Sequence, residues 1–348
     1  MNAQEESRQD KFVTLIGAGA VGLNLAARLA SCGTPIRLFT RRPEVAAKIA
    51  HEGLRLIDPA TQDQTIARVE PTADLKTAVA PGTGPVIICV RTGETEELAR
   101  KIHAIAAQTR IASAQNDVEN EGILARHFQQ VAGIVLRQTC TLQDSRTVLA
   151  TGQGRIVIGD HPDGFGSLSA ELADHFEAAG FDVGRSHHIS SDKWLKLIYN
   201  CLSAVNALIR KADHSQAAFV EIKIRLIQEA QSALALTDLD PRSCDGRDRN
   251  IHEEINQLRQ ALADGTSGRN LPLYNACWVA LQDPNRPLEA DRYHERIIEM
   301  AEQYDLPSPS HRVIRDAVTR ARTECTGPEC LKASDVLNEI ERLSSVRP

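Results

Sequence analysis

Aromatic side chains are scarce in this chain of 348 residues: seven Phe, four Tyr and two Trp. Its cores must therefore be aliphatic, closed by Leu, Ile, Val and Ala. Long hydrophobic runs are missing too. None approaches the ~20 residues that span a bilayer, which excludes a membrane-spanning helix. An excess of positive charge is also lacking. The formal net charge is −6, which argues against a general nucleic-acid binder or a membrane-surface protein. The stretch from Met1 to Asp10 is polar and acidic with no apolar centre. A disordered tail rather than an export signal is expected there, and with it a reducing, cytoplasmic setting. Eight cysteines occur, but no C-x-x-C. Cys325 and Cys330 are the close pair, and no His neighbours them, so no metal site is expected. Most of the other thiols sit singly in apolar segments, where Cys acts as a small hydrophobe.

What the chain does have is one organising stretch near its start. Phe12-Val13-Thr14-Leu15-Ile16 is a short apolar run of the kind that forms a buried strand. It runs into Gly17-Ala18-Gly19-Ala20-Val21-Gly22, and an Ala- and Leu-rich helical pattern follows at once. Each glycine has a physical task in G-x-G-x-x-G. Gly17 permits the tight turn, Gly19 lets backbone approach a pyrophosphate, and Gly22 lets helix and strand pack closely. The pyrophosphate is expected at the helix N-terminus, where free N–H groups and the dipole favour anions. Strand, glycine turn and helix together predict a Rossmann-type dinucleotide-binding unit.

Ile36-Arg37-Leu38-Phe39-Thr40 reads as the second strand. An NAD-binding unit would end it with a carboxylate for the ribose hydroxyls; here it ends in Arg41-Arg42. Guanidinium forks suit a ribose 2′-phosphate, so NADP(H) is the expected cofactor, although two solvated arginines at a helix start read the same way. Pro43 opens a helix to about residue 51. A hairpin-like pair follows at 54–57 and 65–69, then a buried strand at 85–90 ending in Arg91. A helix at 94–107 precedes a strand at 110–114, which ends in Gln115-Asn116-Asp117. Residues just past the C-terminal ends of parallel strands face the ligand crevice, which makes Arg91 and Asn116 candidate cofactor contacts. An Asx-turn is the plainer role for Asn116. Further strands are expected at 132–141, 148–151, 155–159 and 182–185, with helices near 119–128 and at 167–179.

Beyond about residue 186 strands disappear. Helices are expected at 190–210, 215–236, 248–263, 274–282, 289–304, 308–323 and 333–344, and the loop at 263–270 is rich in Gly and polar residues. The fold class is thus α/β: a Rossmann-type domain over 11–187, then an all-α domain over 188–348. A length of 348 residues suits two domains. An apolar face of the helical half is open to homodimer formation, without a heptad seam.

Three stretches in this order resemble the ketopantoate reductase family (2-dehydropantoate 2-reductases). They are the glycine motif, Trp194-Leu195-Lys196-Leu197-Ile198-Tyr199-Asn200, and Arg286-Pro287-Leu288-Glu289-Ala290-Asp291 followed by Leu306-Pro307-Ser308-Pro309. Val90-Arg91-Thr92 and Ala114-Gln115-Asn116 match more loosely. The resemblance covers nearly the whole chain. It implies an NADPH-dependent reductase of a 2-oxo acid such as ketopantoate, in pantothenate biosynthesis, with no nucleic-acid or membrane partner. It also implies that Lys196 is the general acid, Asn200 orients substrate and Glu289 binds its hydroxyl end. The physics is compatible. Lys196 and Asn200 share a helix face at i and i+4, and burial lowers a lysine pKa towards a useful value. Lys193, three residues earlier, competes for the acid's role, and a dipole-stabilised carboxylate at a helix start is the plainer role for Glu289.

Departures fall in the substrate half. Where the family has Asn, this chain has Ala204, with Ser203 nearer the polar face; where it has Ser and then Asp, this chain has Cys277 and Leu281; and its Asn-Gly is here His294-Glu295. These changes leave the particular 2-oxo acid open. They also keep in play a 3-hydroxyacid or opine-type dehydrogenase, or an altered NADP-binding homologue with a sensing role.

Overall fold

The structure, a computed structural model, describes residues 12–81, 84–265 and 274–345. The acidic leader and most of the loop read at 263–270 lie outside the described residues.

The first compact unit runs to Lys193. Its strands are β1 (Val13–Ile16), β2 (Ile36–Phe39), β3 (Leu54–Ile57), β4 (Gln64–Ala67), β5 (Glu70–Thr72), β6 (Val86–Ile88), β7 (Ile111–Ser113), β8 (Val131–Arg137), β9 (Cys140–Leu142), β10 (Thr147–Ala150), β11 (Arg155–Asp160) and β12 (Asp182–Arg185). Eight of them form one sheet in the order β12-β11-β8-β7-β6-β1-β2-β5. Its pairs are parallel apart from β8 with β11, so the two last strands run against the rest. From β1 the chain builds outward through β2 on one side and, after crossing back, through β6 and β7 on the other. The order therefore reverses between β1 and β6, and crevices at such a reversal are where ligands bind.

The helices of this unit are α1 (Ala20–Ser31), α2 (Pro43–Glu52), α3 (Leu75–Ala78), α4 (Thr95–Ile105), α5 (Asn120–Ala125) and α6 (Ser167–Ala178). They cover both faces of the sheet. On one face Leu23, Leu25, Leu172 and Phe176 pack on Val13, Leu15, Leu38 and Ile87. On the other, Ala99, Ile102 and Leu124 pack on Ile16, Val86, Ile88 and Ile111. Burial on both faces is why these strands read as unbroken apolar runs. A smaller sheet, in the order β4-β3-β10-β9, stands beside it.

Local readings change, among them two in the strands, and the one-turn helix α3 was not expected. The stretch expected as one strand at 132–141 is two, β8 and β9, in different sheets. Gln138 makes the break: its side-chain amide donates to the carbonyls of Thr151 and Gly152 and accepts from Asn24, so the chain turns off the large sheet there. β5 was not expected at all. It is three residues long with Pro71 at its centre, and it lies on the sheet edge, where proline is tolerated.

The second unit starts at Trp194. It contains most of α7 (Ile189–Leu208), then α8 (Ala217–Leu234), α9 (Ile251–Ala263), α10 (Ala276–Gln282), α11 (Ala290–Gln303), α12 (Pro309–Thr323) and α13 (Ala333–Ser345). α8 packs against α9, α11, α12 and α13, and α11 lies along α12. The division between units falls inside α7, a few residues past the composition change at 186–189. Among the described residues no helix is long and apolar enough to cross a membrane.

Candidate active site

The glycine turn has the geometry its spacing requires. Gly17 has φ of +119°, and a Cβ there would stand 2.8 Å from the Cys89 carbonyl oxygen. A Cβ on Gly22 would lie 1.9 Å from the Gly17 carbonyl oxygen, inside bonding range of nothing and in collision with backbone. At Gly19 the nearest atom to such a Cβ is 4.0 Å away. Gly17 and Gly22 are thus glycines for the fold, whereas Gly19 leaves open space beside the turn. α1 begins at Ala20, with Ala18, Ala20 and Val21 half-buried around the turn. Its first turn carries no acidic residue, and no side chain caps it. Its leading N–H groups therefore remain for an outside acceptor, and the donors and dipole fit a pyrophosphate.

Arg41 and Arg91 leave the ends of β2 and β6 and meet on one carboxylate. Glu94 Oε2 lies 3.3 Å from Arg41, and Glu94 Oε1 lies 2.8 Å from Arg91. Both guanidiniums stay largely exposed. Arg42 is exposed as well and occupies the N-cap position of α2, with its own N–H directed to Thr40 Oγ1.

Asn116 follows β7 and is half-buried. Beneath it lies a buried polar network that the sequence reading missed. Gln115 Nε2 donates to Thr95 Oγ1 at 2.8 Å, Thr95 Oγ1 donates to Asn120 Oδ1 at 2.8 Å, and Asn120 Nδ2 donates to Thr92 Oγ1 at 3.2 Å. Lys193 completes it: the ammonium pairs with Glu121 and donates to the Gln115 carbonyl oxygen at 3.0 Å. Lys193 and Glu121 are 4% and 3% exposed. A lysine committed to two buried partners is an anchor for the β7 end and for the start of α7. Beside this pair His161 is held below the usual imidazole range, chiefly by burial, with Lys193 acting in the same direction and Glu121 against. The only sequence signal for the network is a scatter of Thr, Gln and Asn after two strands, which also describes solvated loops.

On α7, Leu195, Leu197, Ile198, Cys201, Leu202, Ala204 and Val205 are buried. Lys196, Asn200 and Ser203 are half-buried and follow each other at i, i+4 and i+7. They share one face of the helix, on which they alternate with the buried apolar residues; Tyr199 and Asn206 are half-buried as well. Asn275, the N-cap of α10, donates to the Ser203 carbonyl oxygen at 3.0 Å and so ties α10 to this helix. Glu289 is the N-cap residue of α11, and Tyr293 Oη donates to its carboxylate at 3.1 Å. Of the altered positions, Ala204, Cys277, Leu281 and His294 are all buried in helix packing. Burial, helped by Asp291, pushes the Cys277 thiol up to about 12.

Comparison with known proteins bears on both halves. Residues 13–163 match the family model for ketopantoate reductase PanE/ApbA. A 2-dehydropantoate 2-reductase of Halobacterium salinarum is 23% identical over 90% of this chain and 99% of its own length. A crystal structure of a PanE/ApbA family ketopantoate reductase from Ralstonia eutropha superposes with a TM-score of 0.74 at 25% identity, covering 90% of this chain and 99% of the other. D-mandelate dehydrogenase, solved with NADH and anilino(oxo)acetate, has the same fold at a TM-score of 0.73 and 15% identity over 91% of this chain and 99% of that one.

Proposed function

We propose that this chain, whose residues 13–163 match the ketopantoate reductase model and which has 2-dehydropantoate 2-reductases as homologues along most of its length, is an NADPH-dependent reductase of a 2-oxo acid. The observation that carries this reading is the polar stripe Lys196-Asn200-Ser203 on α7. The stripe sets an ammonium and an amide on one half-buried helix face at i and i+4, the spacing at which an acid and an orienting group can meet one substrate.

A bound nicotinamide dinucleotide would supply a hydride for the ketone carbon. Gly17 to Gly22 and the first turn of α1 would hold its pyrophosphate. Arg41, Arg42 and Arg91 provide cationic forks for a 2′-phosphate, which is why NADPH is favoured over NADH. Asn116, which hydrogen-bonds to no described residue, offers its amide to the ribose or the substrate. Lys196 is the general acid. Its ammonium stabilises the negative charge that develops on the ketone oxygen and gives that oxygen a proton, so the 2-oxo acid becomes a 2-hydroxy acid. Asn200 orients the acid's oxygen atoms and Glu289 receives a hydroxyl of the substrate. Lys193 is a poor candidate for the acid, because it is buried and held by the Glu121 carboxylate and the Gln115 carbonyl oxygen.

The test is turnover of NADPH with a panel of 2-oxo acids, ketopantoate included. Lys196→Ala is expected to lower kcat by about 10²–10⁴-fold while NADPH binding stays within a few-fold of wild type. Loss of NADPH binding in that variant, or full turnover without the lysine, would remove Lys196 from the chemistry. NADPH binding with no turnover on any acid would instead favour the sensing reading.

A further inference from the structure

We infer that Cys201, His294 and His311 form a site for a single soft transition-metal ion of the Zn²⁺ type. The three residues come from α7, α11 and α12 of the second unit, and they are separated by 92 and 16 intervening positions in the chain, which is why no ligand spacing is visible in the sequence. They are 1%, 0% and 0% exposed, and their ligand atoms all lie within 4.8 Å of one another.

The hydrogen bonding shows what the histidines have to spare. His311 Nε2 lies 3.0 Å from the Leu226 carbonyl oxygen, which can only accept, so the ring proton is on Nε2 and Nδ1 presents a lone pair. A backbone carbonyl on the far nitrogen is the usual support of a metal-bound histidine. His294 Nδ1 is 3.0 Å from His311 Nδ1, so in the absence of a metal His294 must supply the proton between them. Its own Nε2 is then a second lone pair. That nitrogen is buried, and its polar neighbour is the Cys201 backbone carbonyl, off the geometry of a full hydrogen bond. Without a metal that lone pair is turned on a carbonyl oxygen; a cation held by both Nδ1 atoms leaves the His294 proton on Nε2, where the carbonyl accepts it.

The electrostatics agree with ligation. Burial drives His311 down to about 4 and His294 well below the ordinary imidazole range, with Arg315 adding to the second effect. Both rings are therefore neutral, the form that binds metals. Burial raises the Cys201 thiol, so the thiolate forms there only when a cation takes the place of its proton. Two imidazoles and one thiolate select Zn²⁺, Co²⁺ or Cu⁺ over Mg²⁺ and Ca²⁺, and leave a fourth tetrahedral position for water. Such an ion would clamp α7, which bears the Lys196 stripe, to α11 and α12. The inference does not depend on the proposed reaction.

The experiment uses the full-length chain, stripped with chelator and titrated with Co²⁺. The expected result is about one equivalent bound, with visible d–d bands and a near-ultraviolet sulfur-to-metal band. Cys201→Ser should abolish the sulfur band, and the double variant Cys325→Ser, Cys330→Ser should keep it. X-ray absorption of the Zn²⁺-loaded wild type supplies a reading that needs no variant: one sulfur at about 2.3 Å and nitrogens at about 2.0 Å. No saturable binding, a shell of nitrogen and oxygen only, or a sulfur band unchanged by Cys201→Ser would each overturn the site and leave a hydrogen-bonded histidine pair.

Discussion

Glu94 is the residue whose consequences are easiest to measure. Its carboxylate stands between Arg41 and Arg91, where a 2′-phosphate would have to compete with it. Each exposed pair is worth only about 0–1 kcal/mol. Glu94→Gln should therefore tighten NADPH binding by roughly two- to tenfold and change NADH binding much less, whereas Arg41→Gln should weaken NADPH selectively. Equal effects on both cofactors, by fluorescence titration, would separate these arginines from the phosphate. Lys223 gives a pH-dependent test. It is buried above the Phe219 ring, and burial brings its ammonium from 10.5 to about 8, with Glu254 opposing. In the unfolded chain it stays protonated to about 10.4. Between those values the unfolded state binds more protons, so this group makes stability rise from pH 8 to pH 10.5; below pH 8 its penalty of about 3 kcal/mol is present in full. Lys223→Met should be more stable at pH 7, and the difference from wild type should shrink as pH passes 8, by denaturant unfolding at several pH values.

At the scale of elements the decisive contact is α1 against β1. Gly22→Ala puts a methyl group into the Gly17 carbonyl, so β1 and α1 must separate, at a cost of about 3 kcal/mol or more and with loss of cofactor binding. Gly19→Ala has room, so the unfolding midpoint should hardly move while dinucleotide affinity falls. Matching losses of stability in both variants would contradict this division. Elements with a strong period were legible without coordinates: β1, β2, β6, β7 and the long helices α6, α8, α11 and α12 lie within a few residues of their expected bounds. β5 and the break at Gln138 were not, since a three-residue edge strand and a single side-chain amide leave no periodic trace. Helix α7 shows both cases. Its apolar pattern announced a helix and its K-x-x-x-N spacing announced a shared face, but only burial separated Lys193 from Lys196.

For the whole molecule, mass action provides the test. If the first unit binds a phosphorylated dinucleotide, NADPH at 100 times its Kd should raise stability by about 2.7 kcal/mol, and NADH at the same concentration by less. A melting temperature indifferent to both would count against the glycine turn as a binding site. The sequence by itself determined the alternation of strand and helix, the glycine turn with its helix, the all-helical second half and the order of motifs shared with ketopantoate reductases. These are local or periodic properties, carried by neighbouring residues and by the burial of one face or both. Tertiary structure alone decided which lysine is buried against a carboxylate, which arginines share Glu94, and that Cys201, His294 and His311 meet. Those outcomes depend on residues far apart in the chain that share a place only after the sheet and the helix bundle have packed.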